Sequence, residues 1–196
     1  MRKNTVDEAV KILDDEIKDP CQGLPEDIFL FATRITPMVN VDLLIRNDAN
    51  QVLLTWRGGN YYSPGWHIPG GIVRLRESMY ERIEKVGEKE LGAAVSYEMS
   101  PFVINEVIRS PERVNRTHFI SFLFEVQLKS ELSNKLQYRD GVPKNGEWNW
   151  YASCPQNIIP VHKMYTNIIN NNYPEFECTT DFGVSRIISY IQKEKL

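Results

Sequence analysis

The run "THFISFLFEVQL", Thr117–Leu128, alternates with a period of two. Ile120, Phe122, Phe124 and Val126 share one face, and Phe119, Ser121 and Glu125 share the other. That period belongs to a β-strand and not to a helix. The stretch "TPMVNVDLLIRNDANQVLLTWR" adds a strand, a polar turn at Asn47 to Asn50, and a second strand. Val39, Val41, Leu43 and Ile45 share one face of its first strand. Asn40 and Asp42 share the other, which is therefore not simply core. Further strands are expected at Ala94 to Tyr97, Phe102 to Ile108 and Glu147 to Tyr151.

Helical periodicity lies between and around these strands. A first helix is expected behind a capping box at Thr5 and Glu8, with Val6, Ala9, Val10, Leu13 and Ile17 on one face, ending at Asp19-Pro20. Pro25-Glu26-Asp27 opens a short second helix. A third runs from about Ser78 to Leu91. Two more close the chain, about Val161 to Asn170 and Gly183 to Lys193, the last with Val184, Ile187, Ile188 and Ile191 on one face. Strands and helices mix without strict βαβ alternation, so the fold class is α+β, a mixed-sheet sandwich with helices on its faces.

The chain has 196 residues, enough for one sizeable core. Its formal net charge of −3 gives no support to a nucleic-acid or anionic-membrane surface. No apolar run reaches the roughly 18 residues a membrane span needs. The acidic, periodic N-terminus does not resemble a signal peptide. Cys21, Cys154 and Cys178 are far apart and odd in number, which fits reduced thiols and a cytoplasmic protein.

The chemistry-bearing stretch is "PGGIVRLRESMYERIEKVGEKELG", Pro69 to Gly92. In a helix Met79, Ile83 and Val86 form an apolar stripe, and its continuation reaches Glu90. A carboxylate there needs a cation or a hydrogen-bond network. Gly70 and Gly71 allow a bent loop able to aim a carbonyl at a hard cation such as Mg²⁺. Such a site is sparse, and substrate phosphates would have to complete it. The plainer alternative is an amphipathic helix with one awkward glutamate.

The same stretch resembles the Nudix box, G-x5-E-x7-R-E-U-x-E-E-x-G-U, where U is aliphatic. Gly71, Glu77, Glu90 and Gly92 fall at the required spacings. Lys85 stands for the Arg, Val86 for the first helix Glu, Gly87 for U, and Lys89 for the first Glu of the pair. The order "TPMVNVDLLI", "QVLLTWR", "GWHIPGG", box, "THFISFLFEV", "EWNWY", "VHKMY" also follows the Nudix layout. It looks most like the GDP-mannose mannosyl hydrolase branch, which likewise lacks two helix carboxylates. The likeness covers about Leu24 to Tyr165.

The resemblance implies a Nudix-like mixed sheet over residues 25–196, preceded by a helical extension over 1–24. It implies a hydrolase of a nucleoside diphosphate linked to a sugar or similar group, with Mg²⁺ (or Mn²⁺) bound by Glu90 and the Gly70 carbonyl. Asp42, Arg57 and His118 would lie in the substrate site, Arg57 neutralising the diphosphate leaving group. Glu77 and Lys85 would pair to brace the loop on the helix. In the branch, water attacks the anomeric carbon and GDP leaves. More commonly in the family, water attacks phosphorus.

Three departures bear on this assignment. Ile72 stands where the branch has Arg, with Arg74 or Arg76 as nearby substitutes. Lys144 and Asn145 stand where the branch has its metal-binding Gln and basic His, with Gln137, Asp140 or Glu147 as candidate substitutes. Together with Val86 and Lys89 they motivate a second reading, a domain that binds a nucleotide-like ligand or a protein partner with little catalysis.

The remaining candidates have plain structural readings. Asp42 is otherwise a surface carboxylate, Arg57 a salt-bridge partner, and His118 a buried histidine. His67 packs beside Pro69, and His162 opens a helix. Tyr61, Tyr62, Trp66, Trp148 and Trp150 either stack a ligand or build the core or a subunit interface. The first helix either packs on the sheet or makes a homodimer contact.

Overall fold

A computed structural model describes residues 2–59, 63–109, 115–180 and 183–190. Tyr61, Tyr62 and Ile191 lie outside them. Among the described residues four helices and ten strands follow in order: α1 (Arg2–Glu16), α2 (Glu26–Ile35), β1 (Met38–Ile45), β2 (Val52–Arg57), β3 (Gly65–His67), β4 (Gly70–Ile72), α3 (Met79–Val86), β5 (Val95–Tyr97), β6 (Val103–Arg109), β7 (His118–Leu128), β8 (Trp148–Tyr151), α4 (Thr166–Ile169), β9 (Glu177–Thr180) and β10 (Gly183–Tyr190). Short 3₁₀ turns at Pro20–Gln22, Asn134–Leu136 and Pro160–Tyr165 join them.

The larger sheet has the order β4-β1-β7-β6-β10-β9, with β5 paired to the far end of β7. β1 and β7 run parallel, with Asn40 opposite Ser121 and Asp42 opposite Leu123. The other pairs in this sheet are antiparallel. A smaller antiparallel sheet, β3-β2-β8, lies beside it. The result is a mixed sheet flanked by helices, an α+β fold.

The strand period sorts side chains into two cores. Val41, Leu43, Ile45, Phe124 and Val126 pack with Ile83 and Val86 of α3. Leu44, Val103 and Leu123 pack on the opposite face with Tyr165, Ile168 and Ile169. Trp66 and Trp148 are buried in these cores, and Trp150 packs against the first. At about 25 cal/mol per Å² of apolar surface, each fully buried large side chain contributes roughly 1.5–3 kcal/mol.

Three expectations are corrected here. The segment Gly183–Tyr190 is a strand, paired antiparallel to β6. A β-bulge between Ile187 and Ser189 inserts Ile188, which is exposed. The inward side chains are thus Ser185, Ile187 and Tyr190, opposite Val107, Asn105 and Val103. Val184, Ile187 and Ile188 fall three and four residues apart as on a helix face, whereas the β-branched composition favours the strand. Secondly, α1 starts at Arg2, ahead of the Thr5 cap. Thirdly, α3 ends at Val86, and Gly87–Leu91 forms a π-turn closed by Gly92 in the left-handed region, φ 62°.

Candidate functional site

β4 is the edge of the larger sheet, and its register decides which of its backbone groups face outward. The Val73 N–H donates to Val39 and the Leu43 N–H to the Pro69 carbonyl. Gly71 is therefore the residue bonded to Val41, while the Gly70 N–H and C=O both point off the free edge. The Gly70 N–H faces the Glu90 carboxylate and favours its ionised form. A Cβ at Gly70 would collide with Asp42 Oδ1 and lie 2.7 Å from the Val41 carbonyl, so only glycine lets the edge lie this close to Asp42.

Glu90 is delivered to that edge by the π-turn. Its Oε1 lies 3.9 Å from Arg57 Nη2 at the end of β2. Its Oε2 is buried and meets no hydrogen-bond donor among the described residues. Burial raises the Glu90 pKa to about 7; Arg57 and the Gly70 N–H oppose this, and Asp42 adds to it. A buried carboxylate oxygen left open beside a free carbonyl edge is a donor set suited to a hard cation. These residues therefore fit Mg²⁺, with further oxygens supplied by a ligand. Among the described residues no cluster of three or more His, Cys, Asp or Glu exists, so the protein's own ligand set is sparse.

Asp42 is buried on the other side of Gly70. Asn40 Nδ2 donates to its Oδ1 at 2.8 Å, the Tyr165 hydroxyl donates to its Oδ2 at 2.6 Å, and the Ser121 hydroxyl donates to the same oxygen. Burial raises its pKa against these three hydrogen bonds. Burial and the facing Asp42 carboxylate push the Tyr165 hydroxyl well up, so it stays a donor.

Behind this network lie two histidines. The Ile68 N–H donates to His162 Nδ1 at 3.0 Å, which puts the His162 proton on Nε2. Burial, helped by Arg57, depresses the His162 pKa to about 3, so the ring is neutral. His67 Nδ1 donates to the Ile68 carbonyl at 2.8 Å, leaving Nε2 to accept from Thr55. Asn40, Asp42, Arg57, Gly70, Ser121 and His162 all line a small chamber of about 50 Å³. It opens beside a larger cleft of about 650 Å³, with which it shares Asn40, Arg57, Gly70 and Arg116.

The larger cleft is strongly cationic. Arg57, Arg74, Arg82, Lys85, Lys89 and Arg116 line it, against Glu90 as the one acidic lining residue among those described. Glu77 matches two of these charges. Glu77 accepts from Arg82 Nε at 2.7 Å, from Lys85 Nζ at 2.8 Å and from the Arg74 N–H at 2.9 Å. This carboxylate fastens the loop after β4 to α3. Burial raises its pKa, but Lys85, the Arg74 N–H and Arg82 together bring it down to about 2.

The structure brings Asp42, Arg57, Gly70 and Glu90 together, with Glu77 and Lys85 beside them. His118 does not join them. It pairs across to Ile108 and faces the opposite side of the sheet from Ser121, with Nε2 3.4 Å from Glu106 Oε1. One residue of strand register accounts for this. Of the substitutes for the missing arginine, Arg74 lines the cleft and Arg76 does not. Asn145 Oδ1 instead accepts the Gly58 N–H at 3.0 Å, holding the end of β2 next to Arg57. Glu147 caps the Lys144 N–H, and neither it nor Gln137 nor Asp140 lines the cleft or the chamber.

Sequence reasoning missed Arg82, Ser121 and Tyr165. Arg82 had a signal, because it follows Met79 by three residues and so lies on the buried stripe near Glu77. A serine between bulky apolar residues of a strand also calls for a partner. Tyr165 had none, being 123 residues from Asp42.

Residues 36–152, which hold β1 to β8 and α3, match the sequence profile of the NUDIX domain. The low-salt glycan biosynthesis protein Agl8 of Haloferax volcanii is 29% identical over 114 residues, covering 57% of this chain and 72% of that protein. A NUDIX hydrolase from Nitrosomonas europaea is similar in structure, with a TM-score of 0.49 and 21% identity over 72% of this chain and 76% of its own. A MutT NUDIX hydrolase from Burkholderia pseudomallei has a TM-score of 0.49 and 20% identity over 68% and 95%. The profile spans more than half of the 196 residues and contains the whole Gly70–Glu90 arrangement, so the chain belongs to the NUDIX domain family.

Proposed function

We propose that this Nudix hydrolase cleaves a nucleoside diphosphate linked to a sugar or similar group, GDP-mannose being the first candidate, with Mg²⁺ (or Mn²⁺) bound at Glu90 and Gly70. The open Glu90 Oε2 beside the free edge of β4, at the mouth of a cationic cleft, carries the reading. When bound, the ion stabilises charge on the diphosphate as a Lewis acid. Arg57 lies within reach of the same charge and neutralises the departing diphosphate. Arg74, Lys89 and Arg116 hold the phosphates electrostatically. Asn40, Ser121 and Tyr165 hold Asp42 against the Gly70 edge, and Asn40, Asp42 and Ser121 line the adjoining chamber.

The relative involved in glycan biosynthesis agrees with a sugar-bearing substrate. The test is turnover of a panel of nucleotide sugars with Mg²⁺ in ¹⁸O-labelled water. Label in the sugar means attack on carbon, and label in phosphate means attack on phosphorus. Glu90→Gln is expected to lower kcat/KM by at least about 100-fold, since it removes the charged metal ligand. Unchanged turnover would sink the proposal.

A second reading rests on the helix itself. Val86 is a core residue at 3% exposure and Lys89 places an ammonium in the cleft, where the family pattern has carboxylates. The same charges would bind a nucleotide's phosphates without requiring turnover. Tight ligand binding retained in Glu90→Gln, with no turnover in the wild type, would decide for it.

A further inference from the structure

The cleft has a wall that the family profile does not contain. Pro20, Gly23, Leu24 and Phe29 line it, all before residue 36, where the match begins. Pro20 and Gly23 belong to the 3₁₀ turn and its cap, and Phe29 sits in α2. This segment is tied to the domain at two points. Arg74 of the loop after β4 donates to the Gln22 carbonyl and lies against Gly23. The Arg116 N–H donates to Thr33 Oγ1 at 2.9 Å, and the Arg116 guanidinium lies 5.6 Å from the centre of the Phe29 ring. Both tethering arginines line the cleft.

The chemistry of the two sides differs. Toward the box lie Glu90, Gly70, Arg57 and Lys89. The N-terminal segment contributes Leu24 and Phe29, with Arg74 and Arg116 beside it, and Met38 and Leu75 also line the cleft. The Leu24 and Phe29 side chains themselves offer a sugar's hydroxyls no hydrogen-bond partner, which costs free energy for each one buried against them. A nucleobase has flat apolar faces and needs contact area there. The cleft's roughly 650 Å³ also lies in the range that encloses a whole small-molecule ligand.

We infer that Leu24 and Phe29, carried by the segment from Pro20 to Ile35, form the nucleobase subsite of this cleft, with the diphosphate on the cations beside Glu90. The inference rests on the nucleoside-diphosphate reading above. It makes the N-terminal segment part of the ligand site, with Arg74 and Arg116 acting both as its tethers and as phosphate contacts.

The test is calorimetric titration of the full chain, in Mg²⁺, with a nucleoside diphosphate and with inorganic pyrophosphate. Wild type is expected to bind the nucleoside diphosphate at least about tenfold more tightly. Leu24→Ala and Phe29→Leu are each expected to weaken that ligand about tenfold while moving pyrophosphate less than about twofold, in line with base-stacking contributions. Intact pyrophosphate binding shows that the variants are folded. Equal weakening of both ligands would mean that the wall is only structural, and would overturn the inference. So would a long-chain alkyl diphosphate binding more tightly than the nucleotide and losing that advantage in the variants. If the wild type turns over no nucleotide sugar yet the base-dependent loss appears, the hydrolase substrate is wrong and the subsite stands.

Discussion

Glu77 is the residue on which the loop between β4 and α3 depends. Its side chain is 4% exposed and meets two cations and one backbone N–H. The folded pKa of about 2 lies below the ordinary 4.5, so its ionised form favours the folded state. That contribution is present above about pH 4.5 and is lost as pH falls toward 2, because protonation then removes the bonds to Lys85 and Arg82. A shift of this size corresponds to on the order of 3 kcal/mol. Thermal melts from pH 7 to pH 3 are expected to show a steeper loss for wild type than for Glu77→Gln, which has already lost the charge. Parallel curves would contradict the assignment. The spacing of Glu77 and Lys85 was visible in the sequence because both belong to one local pattern. The buried Arg82 pair was not, since its significance depends on a burial that only packing decides. The hydroxyls on Asp42 come from two distant segments, and no local periodicity reports them.

Among the elements, the end of α3 departs most from regularity. Gly87 begins the π-turn, and a Cβ on it would lie 2.9 Å from the Ala93 carbonyl and 3.0 Å from Val95. Helix propensity alone says that Gly87→Ala gains about 1 kcal/mol. The clash with backbone is the larger effect, with overpacking costing typically 1–3 kcal/mol. Gly87→Ala is therefore expected to lower Tm by a few degrees and to weaken the Mg²⁺ binding proposed above, because the turn carries Glu90. A raised Tm would show that propensity wins. The helix and its apolar stripe were legible because Met79, Ile83 and Val86 keep period. The π-turn was not, as nothing in "GEKEL" distinguishes a wider turn from an α-helical one. β10 was misread for a related reason, since Ile188, exposed at the bulge, stands four residues after Val184 and so completes an apparent helical face with Ile187. The central strands β1, β2 and β7 carry no such insertion inside them, and their alternation survives intact.

For the whole molecule, α1 stands apart from both cores. From residue 5 to residue 16 its side chains are exposed, apart from a half-buried Leu13, and Val6, Val10 and Ile12 are among them. Deleting residues 1–16 is expected to change Tm by no more than about 2 °C, since surface changes are usually worth within about 0.5 kcal/mol. A larger fall that deepens on dilution would instead place this helix in a contact between copies. Among the described residues no helix is long and apolar enough to cross a membrane. The general architecture was legible because the alternating strands and the box together specify a mixed sheet with a helix on it. The N-terminal wall of the cleft was not, because its role appears only once Phe29 meets Arg116 across the fold.

The parallel pairing of β1 with β7 has a consequence for the growing chain. Ser121 is 79 residues beyond Asp42 and Tyr165 is 123 beyond it. Closing such long loops must precede any reward from the contacts they bring, which makes assembly of this centre slow relative to its local helices. A nascent chain on the ribosome holds the complete Nudix box long before Tyr165 emerges. Until then the Asp42 carboxylate lacks the Tyr165 hydroxyl, and the strand edge is without its full backing. Ligand-binding competence is therefore expected to arrive in one late step, with the C-terminal third of the polypeptide.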